Sequence, residues 1–461
     1  MKKTMNCMAA ALALLAAFAL LACKNDDDDD TPAPVCYTVS YETDFGTAPA
    51  PITVEAGTKL DSSQLPTLTH SGYTFGGWYF VNYSSNIPYA NAGNFPINSD
   101  CVVYALWTLP AATPDANGIV ECNQHNLANT LSALPESTGT YTLRLIGDVS
   151  KISWENAQQF SNGSKILQTL DLSNATGAFI SDGFSLSKIY MKELILPDTL
   201  EKLPHFFIHW VDEKRVSDYL ETVRGKGITE IAERAFYHGI QMSQAYALKN
   251  VVVGSNITSI GERAFERCGK LESITCADAD SRTATTLSIG KDAFYQCENL
   301  TTVALPITKT NEYAFWNCKK LATISLPSIT ELGTGTFESC TKLATVTLGA
   351  GLEAIPESAF SSCRGLSTVT VPSTVTYIGN RAFSGCTSLA SITIPSAVTN
   401  IELYAFSGCT SLASVTFECT DGWYKRHLYS NSWEAESIDV SDASANATML
   451  TENSTYSYFR K

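Results

Sequence analysis

The stretch 366–409 states one pattern twice, as LSTVTVPSTVTYIGNRAFSGC over 366–386 and LASITIPSAVTNIELYAFSGC over 389–409. Weaker copies precede it. The phenylalanines of four successive copies, Phe337, Phe360, Phe383 and Phe406, are each 23 residues apart. A fixed period in this range is typical of a solenoid, in which each repeat unit forms one rung and covers the apolar face of its neighbour.

The hydrophobic period changes halfway through each unit. The first half alternates, as in Val369-x-Val371, which predicts a short strand that Pro372 ends because proline has no N–H. The second half spaces its apolar residues as in a helix, so about a turn and a half of helix is expected. Stacked strands then form a parallel sheet with about 4.8 Å between rungs. The fold class predicted is an α/β solenoid.

Strands of the same type recur along most of the chain. The pattern places about a dozen of them, beginning at Tyr141, Leu170 and Leu194 and continuing at Val223, Val251, Ile274, Val303, Ile324, Val346, Val369, Ile392 and Val415. The earlier rungs carry insertions, of which one over 210–216 is charged and one over 277–283 is polar. Insertions in solenoids form surface loops, where they either recognise ligands or are harmless bulges.

The repeat Leu-x-x-Ile-x-Ile-Pro-x-x-Val-x-x-Ile-Gly-x-x-Ala-Phe-x-x-Cys resembles the BspA-like leucine-rich repeats of bacterial surface proteins, also called the Treponema pallidum type. The likeness is strong from Ile257 onward; before it, Phe184 and Phe207 lack the following cysteine and Phe236 is followed by Gly239. The family is associated with adhesion to host proteins and other cells and has no shared catalytic residues. The resemblance therefore implies a binding protein and not an enzyme.

Seven cysteines share one position in the repeat, three residues after the phenylalanine: Cys268, Cys297, Cys318, Cys340, Cys363, Cys386 and Cys409. Stacking brings such cysteines within disulfide reach of one another, so pairing is geometrically open. An identical position in each rung favours instead a ladder of buried thiols that pack as small hydrophobic groups.

Residues 36–109 form a separate strand-rich segment between two proline-containing stretches. Gly72-Tyr73, Gly77-Trp78 and Tyr104-Ala-x-Trp107 resemble the Listeria-Bacteroides repeat, which implies a small β-grasp domain that acts as a spacer or weak adhesive unit. In such a fold the first and last strands are neighbours, so Cys36 and Cys101 are either a disulfide or two buried thiols.

The N-terminus has the features of an export signal. Lys2 and Lys3 precede an apolar run that is too short to span a membrane, so 1–22 reads as a signal peptide. Leu20-Leu-Ala-Cys23 resembles a bacterial lipobox, which implies lipidation of Cys23. An acidic tether over 23–35 follows, and its lysine and aspartate run resembles the export signal of surface lipoproteins in Bacteroidetes-type bacteria. We expect a lipid-anchored protein at the cell outer membrane, exposed on the surface.

Composition and motifs argue against most other classes. The net charge of -15 disfavours nucleic acid as a partner, and the six histidines are scattered over the chain. His205 and His209 have the spacing of a zinc pair but lack the glutamate of the protease motif. No phosphate loop, nucleophile elbow or dinucleotide fingerprint is present. We expect no catalytic residues, no metal and no cofactor.

The remaining candidate surface is the outward face of the strands. Its predicted ligand-binding residues are Arg144, Asp171, Glu193 and Arg224 in early rungs and Thr347, Thr370 and Thr393 in later ones. Threonine also suits an exposed strand by propensity alone. A host or bacterial surface protein is the expected partner, and a glycan captured by a nutrient-uptake lipoprotein is the alternative.

Three further segments complete the predicted organisation of the chain. They are a linker and N-terminal cap over 110–164, the repeats over 165–417 and a C-terminal cap over 418–461. Within the C-terminal cap, residues 446–450 are expected to form a short turn. Atypical units at both ends of a solenoid are expected, because a terminal rung has no neighbour to cover its apolar face.

Overall fold

The computed structural model describes residues 34–60, 65–82, 87–91, 96–123, 125–133, 141–148, 167–176, 191–205, 207, 219–237, 247–277, 286–427, 435–452 and 455–460. These residues fall into two compact units. The first holds the described residues from 34 to 133 together with 146–148 and Thr176, and the second holds the remaining described residues, which include the repeats. Several predictions concern residues outside the described ranges: the signal peptide, Cys23, most of the acidic tether, the insertion over 210–216, most of that over 277–283, and His209.

The first unit contains a five-stranded mixed sheet in the order β2-β1-β5-β3-β4. Its strands are β1 (Cys36–Glu42), β2 (Ile52–Glu55), β3 (Thr74–Asn82), β4 (Ile87–Asn91) and β5 (Cys101–Thr108). The first and last strands are neighbours, as predicted, and they pair in parallel. A strand β6 (Ile119–Cys122) and a helix α1 (Leu127–Ala133) follow. Both lie in the segment predicted to cap the solenoid.

Alternate side chains of this sheet form an apolar core. Val39, Val103 and Trp78 are almost completely buried, and the Trp78 Nε1–H donates to the Pro66 carbonyl oxygen over 2.6 Å. The Cys101 thiol is free, so the disulfide expected as one possibility between Cys36 and Cys101 is absent. The register explains this, because Cys101 lies opposite Val39 and not opposite Cys36.

Beyond α1 the chain forms short strands at regular intervals. In chain order they are β7 (Thr142–Leu145), β8 (Gly147–Asp148), β9 (Leu167–Asp171), β10 (Ala175–Thr176), β11 (Met191–Ile195), β12 (Lys202–Leu203), β13 (Thr222–Gly225), β14 (Glu230–Ile231), β15 (Asn250–Val253), β16 (Ser259–Ile260), β17 (Ser273–Cys276), β18 (Ser288–Ile289), β19 (Thr302–Ala304), β20 (Lys309–Thr310), β21 (Thr323–Leu326), β22 (Thr345–Leu348), β23 (Ala354–Ile355), β24 (Thr368–Val369), β25 (Tyr377–Ile378), β26 (Ser391–Ile394), β27 (Asn400–Ile401) and β28 (Ser414–Phe417).

The longer of these strands form the main parallel sheet of the second unit. Strands pair in parallel from β7 to β19 through the odd-numbered members, then along β21, β22 and β24, and finally between β26 and β28. These are the dozen strands predicted from the repeat pattern, which is confirmed. The two-residue strands form a second parallel row, from β12 to β20 through the even-numbered members and along β23, β25 and β27.

The second half of each unit is a run of turns, so the expected turn and a half of helix is wrong. Arg263 and Arg267 have left-handed φ values of 54° and 62°, which no right-handed helix contains. Because of this conformation, the N–H groups of residues 263, 265 and 267 donate to carbonyl oxygens of residues 291, 293 and 295 in the next rung. The same pair of positions is left-handed in later rungs, for example at Arg381 and Gly385.

A column of phenylalanine rings forms the centre of the solenoid. From Phe236 to Phe406 each ring stacks on the next with centroids 4.8 to 5.6 Å apart and planes within about 13° of parallel. All of these rings are fully buried. Aromatic burial of this size dominates core energetics, so each rung is stabilised mainly by the rungs on either side of it.

The C-terminal residues cover the last rung. Strands β29 (Trp423–His427), β30 (Glu436–Ser437) and β31 (Tyr456–Arg460) extend the short-strand row, and β31 pairs antiparallel with β27. Helix α2 (Ala443–Glu452) contradicts the short turn predicted at this point. Asp442 accounts for its start, because its Oδ1 accepts from the N–H groups of Ser444 and Ala445. The buried Asn446 Nδ2 donates to the Val415 carbonyl oxygen of the last main strand.

Candidate functional site

Outward side chains of the main sheet form two parallel rows. Register aligns Thr169 with Glu193 and Glu193 with Thr222 in one row, whereas Arg144 and Asp171 share the other. The first row ends on hydroxyl residues, with Thr323 opposite Thr345, Thr345 opposite Thr368 and Ser391 opposite Ser414. The predicted ligand-binding residues therefore lie on one face but not in a single line.

The charged residues of the earliest rungs bind each other. The Arg144 Nε–H donates to Asp171 Oδ2 over 2.9 Å, and only 7% of the Asp171 side chain is exposed. Burial raises the pKa of Asp171, but hydrogen bonds from Ser173 and Arg144 and the positive charge of Arg144 outweigh it and hold the pKa below its ordinary value. Asp171 is thus a buried anion that fixes Arg144 in place.

A second ion pair follows on the same face. The Arg224 Nε–H donates to Glu193 Oε1 over 2.5 Å, and the other oxygen of Glu193 accepts from the Thr169 hydroxyl over 3.1 Å. Nearly half of the Arg224 side chain remains exposed. A partner that binds here must therefore compete with, or add to, contacts that the chain already makes.

The later rungs carry no charge on this face. Thr347, Thr370 and Thr393 are exposed, and within the described part of the chain their hydroxyl groups form no hydrogen bond. The neighbouring outward positions are also hydroxyl residues, at 323, 325, 345, 368, 391, 414 and 416. These groups can donate to and accept from a ligand without breaking an existing interaction.

The seven repeat cysteines lie in the core as free thiols. Each thiol hydrogen points to the rung before it, as when Cys363 Sγ–H donates to the Phe337 carbonyl oxygen over 3.0 Å and Cys386 to Phe360 over 3.1 Å. Burial raises the pKa of Cys409 to about 12. The cysteine position of the repeat therefore holds a small, buried hydrogen-bond donor. The hydrophobic pattern of the sequence does not reveal this role.

The turn side of the solenoid holds aromatic residues that the sequence pattern did not single out. Tyr295 and Trp316 follow the core phenylalanines of adjacent rungs, and their rings stack with centroids 4.4 Å apart and planes 10° from parallel. Both are partly exposed, as is Tyr313 three residues before Trp316. We call Tyr295, Tyr313 and Trp316 the aromatic patch. All three residues lie within two positions of a repeat phenylalanine in the sequence, and this position could have indicated that they share one side of the solenoid.

Two negative observations hold for the described residues. They contain no group of three or more His, Cys, Asp or Glu side chains placed to bind a metal ion. They also contain no helix with the length and apolar character of a membrane span. The absence of metal and cofactor stays a prediction.

Solved structures similar to this chain include three bacterial repeat proteins. A leucine-rich cell surface protein from Faecalibacterium prausnitzii is 18% identical, with 78% of this chain and 97% of that chain covered and a TM-score of 0.31. A leucine-rich repeat protein from Bacteroides ovatus is 18% identical, with 76% and 88% covered and a TM-score of 0.31. The T. pallidum leucine-rich repeat protein is 24% identical, with 38% and 73% covered and a TM-score of 0.26.

Family models match both parts of the chain, whereas no curated protein is significantly similar to it. The Listeria-Bacteroides repeat domain matches residues 37–106. The BspA type leucine-rich repeat region matches 217–343, 281–390 and 377–454, which together span more than half of the sequence. These matches coincide with the five-stranded sheet and with the stacked rungs described above, and the chain belongs to the BspA-type leucine-rich repeat family.

Proposed function

We infer that this protein is a surface-anchored bacterial lipoprotein that binds a host or bacterial surface protein through its solenoid. The supporting observation is the outward face of the later rungs, where exposed and unbonded hydroxyl groups repeat at Thr347, Thr370 and Thr393. A flat row of this kind favours a ligand that lies along several rungs. Twelve rungs at about 4.8 Å provide a face roughly 50 Å long, enough for about 800 Å² of contact per partner.

The anchor in this proposal is a lipid on Cys23. It rests on the lipobox and on the apolar run before it, and the acidic tether would hold the folded part away from the membrane. The five-stranded module would then act as a spacer between tether and solenoid. Adhesion in this arrangement depends on the solenoid alone.

Binding to immobilised matrix proteins tests the proposal directly. The full mature chain is applied to collagen, laminin, fibronectin and fibrinogen, and saturable binding to at least one of them is expected. Thr370→Glu with Thr393→Glu places two charges on the proposed face without touching the core, and should weaken binding about tenfold.

A matched control separates this face from the rest of the surface. Ser388 and Ser411 are exposed in the same two rungs but lie outside the main strands. Ser388→Glu with Ser411→Glu adds the same charge and should leave binding unchanged. Equal loss in both double variants would mean that net charge matters and that the strand face does not.

A further inference from the structure

The types of residue on the turn side of the solenoid differ between its earlier and later rungs. The residues two before, one after and two after each core phenylalanine from Phe236 to Phe406 belong to the turns. Of those that the structure describes, all but Asp292, Gly335 and Ser361 are at least partly exposed. Around the rings of residues 236 to 315 most of these positions hold Arg, Tyr or Trp, whereas from 337 to 406 most hold Ser or Gly. Aromatic rings at partly exposed positions add little burial to the core, so their concentration in adjacent rungs requires a separate explanation.

One ring of the aromatic patch lies sideways across the next rung. Gly335 occupies the position that corresponds to Tyr313, and a side chain on Gly335 would fall on the Cδ1 and Cε1 atoms of the Tyr313 ring. The equivalent position in the other described rungs from 234 to 404 carries a side chain. Glycine here leaves room for the Tyr313 ring to lie across the next rung.

Uncharged polar groups border the aromatic patch. Gln296 and Asn317 each follow a patch residue directly, and both have the left-handed conformation of their turn position. The Gln296 amide forms no side-chain hydrogen bond within the described residues, while Asn317 Nδ2 donates to Glu298 Oε1 over 3.3 Å. The nearby lysine, Lys319, is paired with the same glutamate over 2.8 Å. The patch therefore offers aromatic faces and amide groups, and the carboxyl group of Glu338 lies close to the Tyr313 ring.

We propose that the aromatic patch is a binding subsite for an uncharged glycan. Sugar rings present slightly positive C–H groups, which favour the negative face of an aromatic ring, and hydroxyl groups, which match free amides. Aromatic walls with a few convergent polar groups are the usual composition of small-ligand sites. The chain's net charge of -15 opposes nucleic acids and acidic polysaccharides, which leaves neutral sugars.

This site is distinct from the strand face and does not rest on protein binding there. Glycan capture is the alternative function that the sequence suggests, but the outward positions of the later strands hold hydroxyl residues and no aromatic ring. The structure places the aromatic residues on the turn side instead. Tyr and Trp are also frequent anchors of protein interfaces, and a protein ligand at the patch makes a different prediction in the test below.

Affinity electrophoresis of the full mature chain tests the proposal. Native gels containing galactomannan, xylan, dextran, mixed-linkage β-glucan or desialylated mucin are compared with a plain gel. At least one of these glycans should retard the wild type. Tyr313→Ala and Trp316→Ala should weaken the interaction about tenfold, as loss of one stacking ring does elsewhere, and Trp316→Phe should retain most of it.

Tyr404 provides the matched control. It occupies the same turn position as Tyr313, is also left-handed and partly exposed, but the Arg381 guanidinium lies 5.2 Å from its ring centroid. Tyr404→Ala should leave retardation unchanged. The proposal is overturned if none of the five glycans retards the wild type, or if Tyr404→Ala matches the patch variants. It is also overturned if the patch variants lose only binding to a matrix protein, since the patch would then anchor a protein.

Discussion

The Cys386 thiol donates a hydrogen bond to the carbonyl oxygen of Phe360, one rung earlier, over 3.1 Å. The same oxygen also accepts from the Cys363 N–H in its own rung, at 3.2 Å, so it accepts two bonds. Cysteine thus supplies a hydrogen-bond donor at a completely buried position.

Cys386→Ala should lower the free energy of unfolding by about 1 to 2 kcal/mol, because it removes both the donor and the packing of the sulfur. Urea unfolding of the full chain measures this. Cys419→Ala, at a partly exposed cysteine outside the ladder, is the control and should change stability little. An equal effect of the two substitutions would contradict a specific role for the ladder.

The ladder also predicts a pH dependence of stability. Burial raises the pKa of Cys409 to about 12, so this thiol stays protonated in the folded state while an unfolded thiol ionises near its ordinary value. The unfolded state then binds fewer protons, and stability falls as pH rises from about 9 towards 12. Cys409→Ala should reduce this slope by about 1.4 kcal/mol per pH unit. Identical slopes for wild type and variant, from urea unfolding at each pH, would exclude this linkage.

Glycine at the left-handed turn positions should make the protein more stable than a residue with a side chain does. Gly385 has a φ of 71°, and a Cβ added there would make only ordinary van der Waals contacts with Ser362, so Gly385→Ala should cost about 1 kcal/mol through backbone conformation alone. Ser362 holds the equivalent position with a φ of 60°. Ser362→Gly should therefore stabilise, and Ser362→Ala should be nearly neutral, as measured by thermal unfolding. Stabilisation by Gly385→Ala would show that the turn relaxes out of this conformation.

Charge reversal at Arg224 should weaken ligand binding more than Thr370→Ala, because charged contacts fix orientation more strongly than isolated hydroxyls. Arg224→Glu also places two carboxylates together, so Arg224→Glu with Glu193→Arg serves as a control that restores the ion pair. The control should recover stability but not binding in the matrix-protein assay. Full recovery of binding would mean that Arg224 acts only on folding. Arg144 is less suitable for this test, because a negative charge at residue 144 would lie next to the buried carboxylate of Asp171.

Cys23 should carry the lipid anchor. Metabolic labelling with a fatty-acid probe should mark the wild type and miss Cys23→Ser, since the lipobox provides the expected attachment site. Equal labelling of the wild type and Cys23→Ser would exclude Cys23 as the site of lipidation. Changing Asp26–Asp30 to Asn should separately reduce exposure to protease on whole cells, while lipid labelling persists.

Hydrophobic alternation in the repeats predicted the strands correctly, because residues such as Ile392 and Ile394 must both face the core. The prediction of a helix in the second half of each unit was wrong, because the apolar spacing there fits a run of turns as well as a helix. Only the hydrogen bonds between rungs decide between the two conformations. Helix α2 was missed because its residues, such as Asn446 and Thr448, have weak helix propensity and depend on the cap and on packing. The ion pair between Arg224 and Glu193 joins residues that are 31 apart in the sequence. Predicting it would have required the register between the two neighbouring strands, which the sequence pattern does not give.

The left-handed turns have an electrostatic consequence for the whole solenoid. Dipoles of β-strands largely cancel, but the N–H groups of residues 381, 383 and 385 all point towards the next rung, as do their equivalents before them. Peptide dipoles aligned in this way add together, as they do in a helix. The turn edge therefore carries an axial field whose positive end lies at the rung of Phe406, the reverse of a helix, so anions are favoured at the C-terminal end of this edge.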